Sequence, residues 1–220
     1  MNLTKHSDFF NPVDNDVTIH IIGLGSLGSN LAHLLVRLGF ENLVLYDFDD
    51  ITDNNLTNQF YFHNQVGSDK LPCLMDNLRM INPNVNLIGL QKYKNQHLYD
   101  IVFLCLDSIK ERRRIMELNM NNINIKLMND IRLGLGEGQA FSADRSHFNS
   151  MLSTMQFEDD ESTTPINACG TTMRILPTIY MITSLAVNNL INFLKNDEYH
   201  RLISIDSLEG IATKLLETKI

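Results

Sequence analysis

Val17-Thr18-Ile19-His20-Ile21-Ile22-Gly23-Leu24-Gly25-Ser26-Leu27-Gly28 sets the architecture of the chain. A short run rich in branched apolar residues predicts a buried strand, and it leads straight into a G-x-G-x-x-G turn. Leu31, Leu34, Leu35 and Leu38 then recur at helical spacing, with Gly39 placed as the C-terminal cap. Leu43-Val44-Leu45-Tyr46 predicts a second strand, ending at Asp47-Phe48-Asp49-Asp50. A strand, glycine turn, helix and strand in this order favour a parallel sheet with a right-handed crossover. The expected fold class is α/β: a Rossmann-like, doubly wound, mostly parallel sheet with an antiparallel strand pair near the C-terminus.

Within the turn, Gly23 permits the tight bend, Gly25 lets a phosphate approach the backbone, and Gly28 allows the helix to pack closely. The first amides of that helix, at Ser26, Leu27 and Gly28, lack intrahelical partners and sit at the positive end of the helix dipole. Asp47 follows about twenty residues after the turn, where a carboxylate accepts hydrogen bonds from ribose hydroxyls. To this point NAD and ATP fit equally well.

Outward from this unit, a helix is expected over about 70–80, stopped near Asn82-Pro83, and strands over 86–90 and 101–106. Ser108 is placed to cap a helix running to about 119, with Arg112, Arg113 and Arg114 on or near its exposed side. A strand at 125–128, a glycine-rich turn at 134–138 and a short strand near 139–142 follow. Residues 156–167, with Glu158-Asp159-Asp160-Glu161, lack apolar periodicity and predict a mobile, acidic crossover loop. A long helix over about 171–195 and strands at 201–206 and 211–216 complete the reading. The organisation expected is one domain over 1–220, with an N-terminal arm at 1–16 and the crossover loop at about 156–168.

Composition bounds the function. The chain has 220 residues, 44% of them hydrophobic and 20% charged, enough for a substantial core. A net charge of −8 argues against nucleic acid or an anionic membrane as a partner. No apolar run approaches the roughly 18–20 residues needed to span a bilayer. The three cysteines, Cys73, Cys105 and Cys169, include no C-x-x-C pair. A reduced, cytoplasmic protein is expected.

The later motifs separate ATP from NAD. Asp47-Phe48-Asp49, Asn54-Asn55-Leu56-Thr57-Asn58-Gln59, Val66-Gly67-Ser68-Asp69-Lys70, Asn82-Pro83 and Asp107-Ser108 follow the glycine turn in order. This series resembles the ThiF/MoeB family, which includes the adenylation domains of ubiquitin-activating enzymes. An ordinary dehydrogenase has no reason to carry it.

The resemblance implies an ATP-dependent adenylyltransferase acting on a carboxylate, such as the C-terminal glycine of a ubiquitin-like or sulfur-carrier protein or peptide, usually in a homodimer. It implies that Gly23, Gly25, Ser26, Leu27 and Gly28 cradle the nucleotide and that Asp47 binds ribose. Asp49, Asn55, Asn58 and Gln59 fall at nucleotide-facing positions. Lys70 would neutralise triphosphate charge, and Asp107 would hold Mg²⁺; with Asn55 they form the implied catalytic set.

Plainer roles stand beside these. Asp49 also reads as a loop cap, Asn55 as a turn former and Asp107 as a helix N-cap; Arg112 matches an arginine that many family members carry after that aspartate and reads equally as a surface arginine. A lysine opening a helix is mildly unfavourable unless it faces an anion.

Three departures from the family pattern matter. Asn58 stands where N-L-x-R-Q places an arginine, which leaves open a second reading as a weakly active or inactive nucleotide-binding scaffold or partner subunit. An NAD-dependent oxidoreductase is a third, supported only by the glycine turn and Asp47. The N-terminal arm lacks the family's R-Y-x-R-Q-like segment, with Lys5 and His6 its nearby cations. The paired C-x-x-C motifs are missing, so no structural zinc is expected. Cys169, in Asn167-Ala168-Cys169-Gly170, is a candidate thiol beside a helix start.

Overall fold

A computed structural model describes residues 1–14, 16–159, 173–210 and 214–217. Its elements are β1 (Ile19–Ile22), α1 (Ser26–Leu38), β2 (Asn42–Tyr46), α2 (Lys70–Ile81), β3 (Asn86–Leu90), β4 (Asp100–Leu104), α3 (Ile109–Asn119), β5 (Ile125–Leu133), β6 (Glu137–Ala143), α4 (Phe148–Ser153), α5 (Leu176–Asn196), β7 (His200–Asp206) and β8 (Lys214–Glu217). One sheet joins the strands in the order β3-β2-β1-β4-β5-β6-β7-β8. Strands β3 to β5 of that order pair in parallel, as the glycine-turn unit predicts. The pairs β5–β6, β6–β7 and β7–β8 are antiparallel, so the antiparallel part is wider than one pair.

Strand alternation divides the core in two. Ile19, Ile21, Leu43, Leu45, Ile101 and Phe103 point to the face covered by α1, α2 and α5. Ile22, Val44, Tyr46, Val102 and Leu104 point to the face covered by α3 and α4. Both faces of β1, β2 and β4 are therefore buried, which explains their near-continuous apolar runs, while the edge strand β3 stays largely exposed. The chain winds from β1 outward to β3, then returns to place β4 on the other side of β1. A crevice opens at such a switch point, at the carboxyl ends of the strands.

Several expectations need correction. Arg112 is buried, not on the exposed side of α3: the helix's fourth position faces the sheet, and Asp130 of β5 receives its guanidinium. The long C-terminal helix begins at Leu176, with Pro177 in its first turn, rather than near 171. A proline belongs at a helix start, where its missing N–H costs nothing. Strand β5 runs on to Leu133, because β6 pairs along that length. The short helix α4 went unread; six residues are too few to show a period. Of the predicted acidic loop at about 156–168, residues 160–168 lie outside the described residues, as do 169–172, which include Cys169, and 211–213.

His20 sits buried on β1, its Nδ1 3.0 Å from the Tyr46 hydroxyl and its ring edge-on to Tyr99. Burial, reinforced by His97 and opposed by Asp100, pushes its pKa down to about 4. The folded state therefore keeps it neutral where the unfolded chain takes up a proton near the ordinary value of 6.5. Stability from this group is present above pH 6.5 and is lost as pH falls from there toward 4. Urea titrations at pH 7, 6 and 5 should show stability declining with acid, and His20→Gln should flatten that slope by close to one proton. An unchanged slope in the variant would assign the acid sensitivity elsewhere.

Candidate nucleotide site

The turn after β1 is fixed from three sides. The Gly23 N–H donates to the Tyr46 carbonyl, and the Cys105 N–H donates to the Ile22 carbonyl. Gly23 has φ +94°, a left-handed conformation that disfavours any Cβ, and a Cβ there would meet the Cys105 carbonyl at 2.8 Å. At Gly28 a Cβ would lie 1.8 Å from the Gly23 carbonyl oxygen, so helix and turn touch directly. At Gly25 the same test finds nothing within 4 Å: that position faces open space. No side chain caps the amides that open α1. The turn is thus closed against the protein and open toward the crevice, as a phosphate cradle requires.

Beneath it lies a cleft of about 350 Å³. Gly23, Gly25, Ser26, Asp47, Asp49, Asn55, Gln59, Lys70 and Asp107 all line it, although they come from five separate stretches of chain. Leu27 instead lines a neighbouring cavity, Gly28 packs against the turn, and Asn58 stands just outside the cleft.

Local chemistry explains the convergence. Asp47 Oδ2 accepts the Leu24 N–H at 2.6 Å, and Oδ1 accepts the Asp49 N–H at 2.8 Å. The carboxylate thereby ties the end of β2 to the glycine turn. Burial raises its pKa, against the pull of those two amides and of the Lys70 charge. Gly67, at φ +86°, turns the chain so that residues 49–51 and 67–70 run side by side. The Gly67 N–H donates to the Ile51 carbonyl and the Lys70 N–H to the Asp49 carbonyl. That pairing brings the buried Lys70 ammonium 3.0 Å from Asp49 Oδ2. The V-G-x-x-K spacing is therefore a turn that aims a lysine.

The segment at 53–62 is held over the cleft by α1. Asn30 Nδ2 donates to the Asn58 carbonyl, the Ser29 hydroxyl accepts the Phe60 N–H, and the Tyr61 hydroxyl donates to the Leu24 carbonyl. Asn55 Oδ1 accepts the Thr52 N–H at 2.9 Å, so it closes its own turn while lining the cleft. Gln59 Oε1 is buried without a hydrogen-bond partner among the described residues. A buried polar atom left unpaired costs stability, and a ligand donor would satisfy it.

Arg112 holds the opposite wall. Its Nε donates to the Leu106 carbonyl at 2.8 Å and its Nη1 to the Leu104 carbonyl at 3.0 Å, besides pairing with Asp130. It fixes the bend that carries Asp107. Ser108 caps α3 as expected, accepting the Glu111 N–H, which leaves Asp107 free of a capping role. Asp107 pairs instead with Arg174 at 2.9 Å, a cleft-lining residue that sequence reasoning missed. Nothing local marks Arg174: it lies 67 positions from its partner.

Burial pushes the Cys105 thiol up to about 12, so at neutral pH it is an inert wall residue. Among the described residues no three His, Cys, Asp or Glu side chains gather as a metal site. Mg²⁺ needs no such cluster, since one or two carboxylates plus substrate phosphates hold it, and the exposed Asp107 carboxylate is a hard oxygen donor of the right kind.

The family model described as the ThiF family matches residues 15–219. The chain belongs to the ThiF family. Ubiquitin-like modifier-activating enzyme 5 of Caenorhabditis briggsae is 29% identical over 123 residues, covering 48% of this chain and 28% of that protein. The enzyme of the same name from Oryza sativa subsp. japonica is 39% identical over 72 residues, 33% of this chain and 17% of that one. The chain thus matches under a third of these relatives' length. Among solved structures, E. coli MccB with ATP superposes with a TM-score of 0.70 at 15% identity, covering 92% of this chain and 64% of MccB. PaaA gives 0.70 at 16% identity, again over 92% and 64%. At these identities the likeness shows the ThiF fold.

Proposed function

We propose that this ThiF-family chain is an adenylyltransferase that uses Mg-ATP to activate a carboxylate, with 1–220 working as a single domain. The observation that supports it most is the convergence of Gly25, Asp47, Lys70 and Asp107 on one cleft beneath an uncapped helix start. E. coli MccB has been crystallised with ATP, and the microcin C7 biosynthetic enzyme MccB with N-formylated MccA. By that analogy and the ubiquitin-like modifier-activating relatives, the substrate is the C-terminal carboxylate of a ubiquitin-like or sulfur-carrier protein or peptide.

In this reading the Gly23–Gly28 turn and the α1 amides hold phosphates, and Asp47 accepts a ribose hydroxyl with its remaining lone pairs. Ile22, Leu106 and Ile115, with Tyr46, Phe48 and Tyr93, give the cleft an apolar side suited to a flat base. The substrate carboxylate oxygen attacks the α-phosphorus, a P–O bond forms, and the bond to the departing pyrophosphate breaks. Lys70 neutralises charge on the phosphates, Asn55 and Gln59 hold them in line, and Asp49 keeps Lys70 aimed. Mg²⁺ on Asp107 would supply charge neutralisation for the leaving group. No general base is needed, because the nucleophile is already an anion. The reading includes a homodimer and a cytoplasmic setting.

Incubation with Mg-ATP, labelled pyrophosphate and candidate carriers should give exchange that depends on a carrier with a free C-terminus. ATP binding with no exchange across carriers and peptides would favour the scaffold reading, which Asn58 and the missing R-Y-x-R-Q-like segment motivate.

A further inference from the structure

A family arginine is missing at position 58, yet the cleft does not lack a guanidinium. We propose that Arg174 supplies the phosphate-facing guanidinium that Asn58 does not, reaching the nucleotide from the segment before α5. The inference rests on the adenylyltransferase reading of the same cleft.

Four observations support it. Arg174 lines the cleft together with Gly25, Lys70 and Asp107, whereas Asn58 does not. The two positions are in contact: Asn58 Nδ2 donates to the Arg174 carbonyl at 3.4 Å, so the residue standing where the family has arginine steadies the backbone of this one. Of the guanidinium's donors, Nη1 is given to Asp107, while Nε is buried with no hydrogen-bond partner among the described residues. A buried guanidinium N–H without an acceptor is a rare state, and a phosphate oxygen would end it. Finally, the Asp107 side chain is 83% exposed. An ion pair with so hydrated a carboxylate contributes little to folding, so turning the guanidinium from Asp107 toward a phosphate costs little.

The pairing itself suits a nucleotide-free site. Asp107 and Arg174 neutralise each other where, in the proposed reading, a metal ion and a phosphate would take their places. A purely structural role, pinning the start of α5 to the end of β4, predicts the same ion pair but no preference among nucleotides.

Calorimetric titration of wild type, Arg174→Ala, Arg174→Lys and the double variant Asn58→Arg/Arg174→Ala with Mg-ATP, ADP, AMP and adenosine separates the two. If Arg174 meets phosphate, Arg174→Ala should weaken ATP binding about ten- to a hundredfold and adenosine binding little. Arg174→Lys should recover only part, because an ammonium lacks the planar fork. Restoring the arginine at 58 should recover most of the loss. Equal ATP affinity in wild type and Arg174→Ala, or an equal loss for ATP and adenosine with a lowered melting temperature, would overturn the inference while leaving the ATP site standing. Should Arg174→Ala fail to fold, the same reading is taken from Arg174→Lys and Arg174→Gln. Wild type that binds no nucleotide would overturn this inference and the reading beneath it together.

Discussion

Replacing Lys70 by alanine is expected to lower carrier-dependent pyrophosphate exchange about 10²–10³-fold while leaving the fold intact. The lysine opens α2, where a cation opposes the helix dipole, and it is buried, with Asp49 as its ion-pair partner and Asp47 within reach of its charge. Neither circumstance favours a lysine for stability. Both make sense if an anion completes its surroundings. Its loss frees Asp49, more than half exposed, which water can solvate, so the melting temperature should move little. The transition state is where charge accumulates between the α-phosphorus and the departing pyrophosphate, and a fixed cation there acts without reorganisation. Lys70→Arg keeps the charge and should retain part of the rate. Exchange within twofold of wild type in Lys70→Ala would mean that the phosphates lie elsewhere in the cleft.

Asp130→Ala is expected to cost about 3–5 kcal/mol of stability. Asp130 is fully buried on β5 and joins two arginines: Arg112 from α3 and Arg132 two residues on, whose Nη2 lies 2.6 Å away. Removing the carboxylate leaves a buried guanidinium unpaired, and that is the costly half of breaking such a pair. In a protein whose whole stability is of the order of 5–15 kcal/mol, the loss should be plain in a urea titration. Because Arg112 also holds the Leu104 and Leu106 carbonyls, nucleotide affinity should fall with it as the Asp107 bend loosens. Removing both charges, as Asp130→Leu with Arg112→Met, should restore part of the stability but not the affinity. A midpoint unchanged in Asp130→Ala would show that the cluster is hydrated rather than buried.

Sequence reading reached the fold through local signals that tertiary context then enforced. The β1 run, the glycine turn, the Gly39 cap and the Ser108 cap all act within a few residues, and each lies where its chemistry required. Most of the cleft was legible for another reason: the motif series lists residues that only make sense together. Arg174 and Asp130 were not legible. Their roles exist through partners in distant sequence, Asp107 and Arg112, and neither a period nor a motif marks them. Arg112 was misjudged because a run of three arginines reads as a solvated face, while helix geometry turns one of the three inward.

Whether this cleft is an ATP site is read straight from calorimetric titration of the wild-type chain with Mg-ATP. Saturable one-to-one binding, abolished in Asp47→Ala and undisturbed by excess NAD, is the predicted result. No heat of binding, or ATP displaced by NAD, would contradict it.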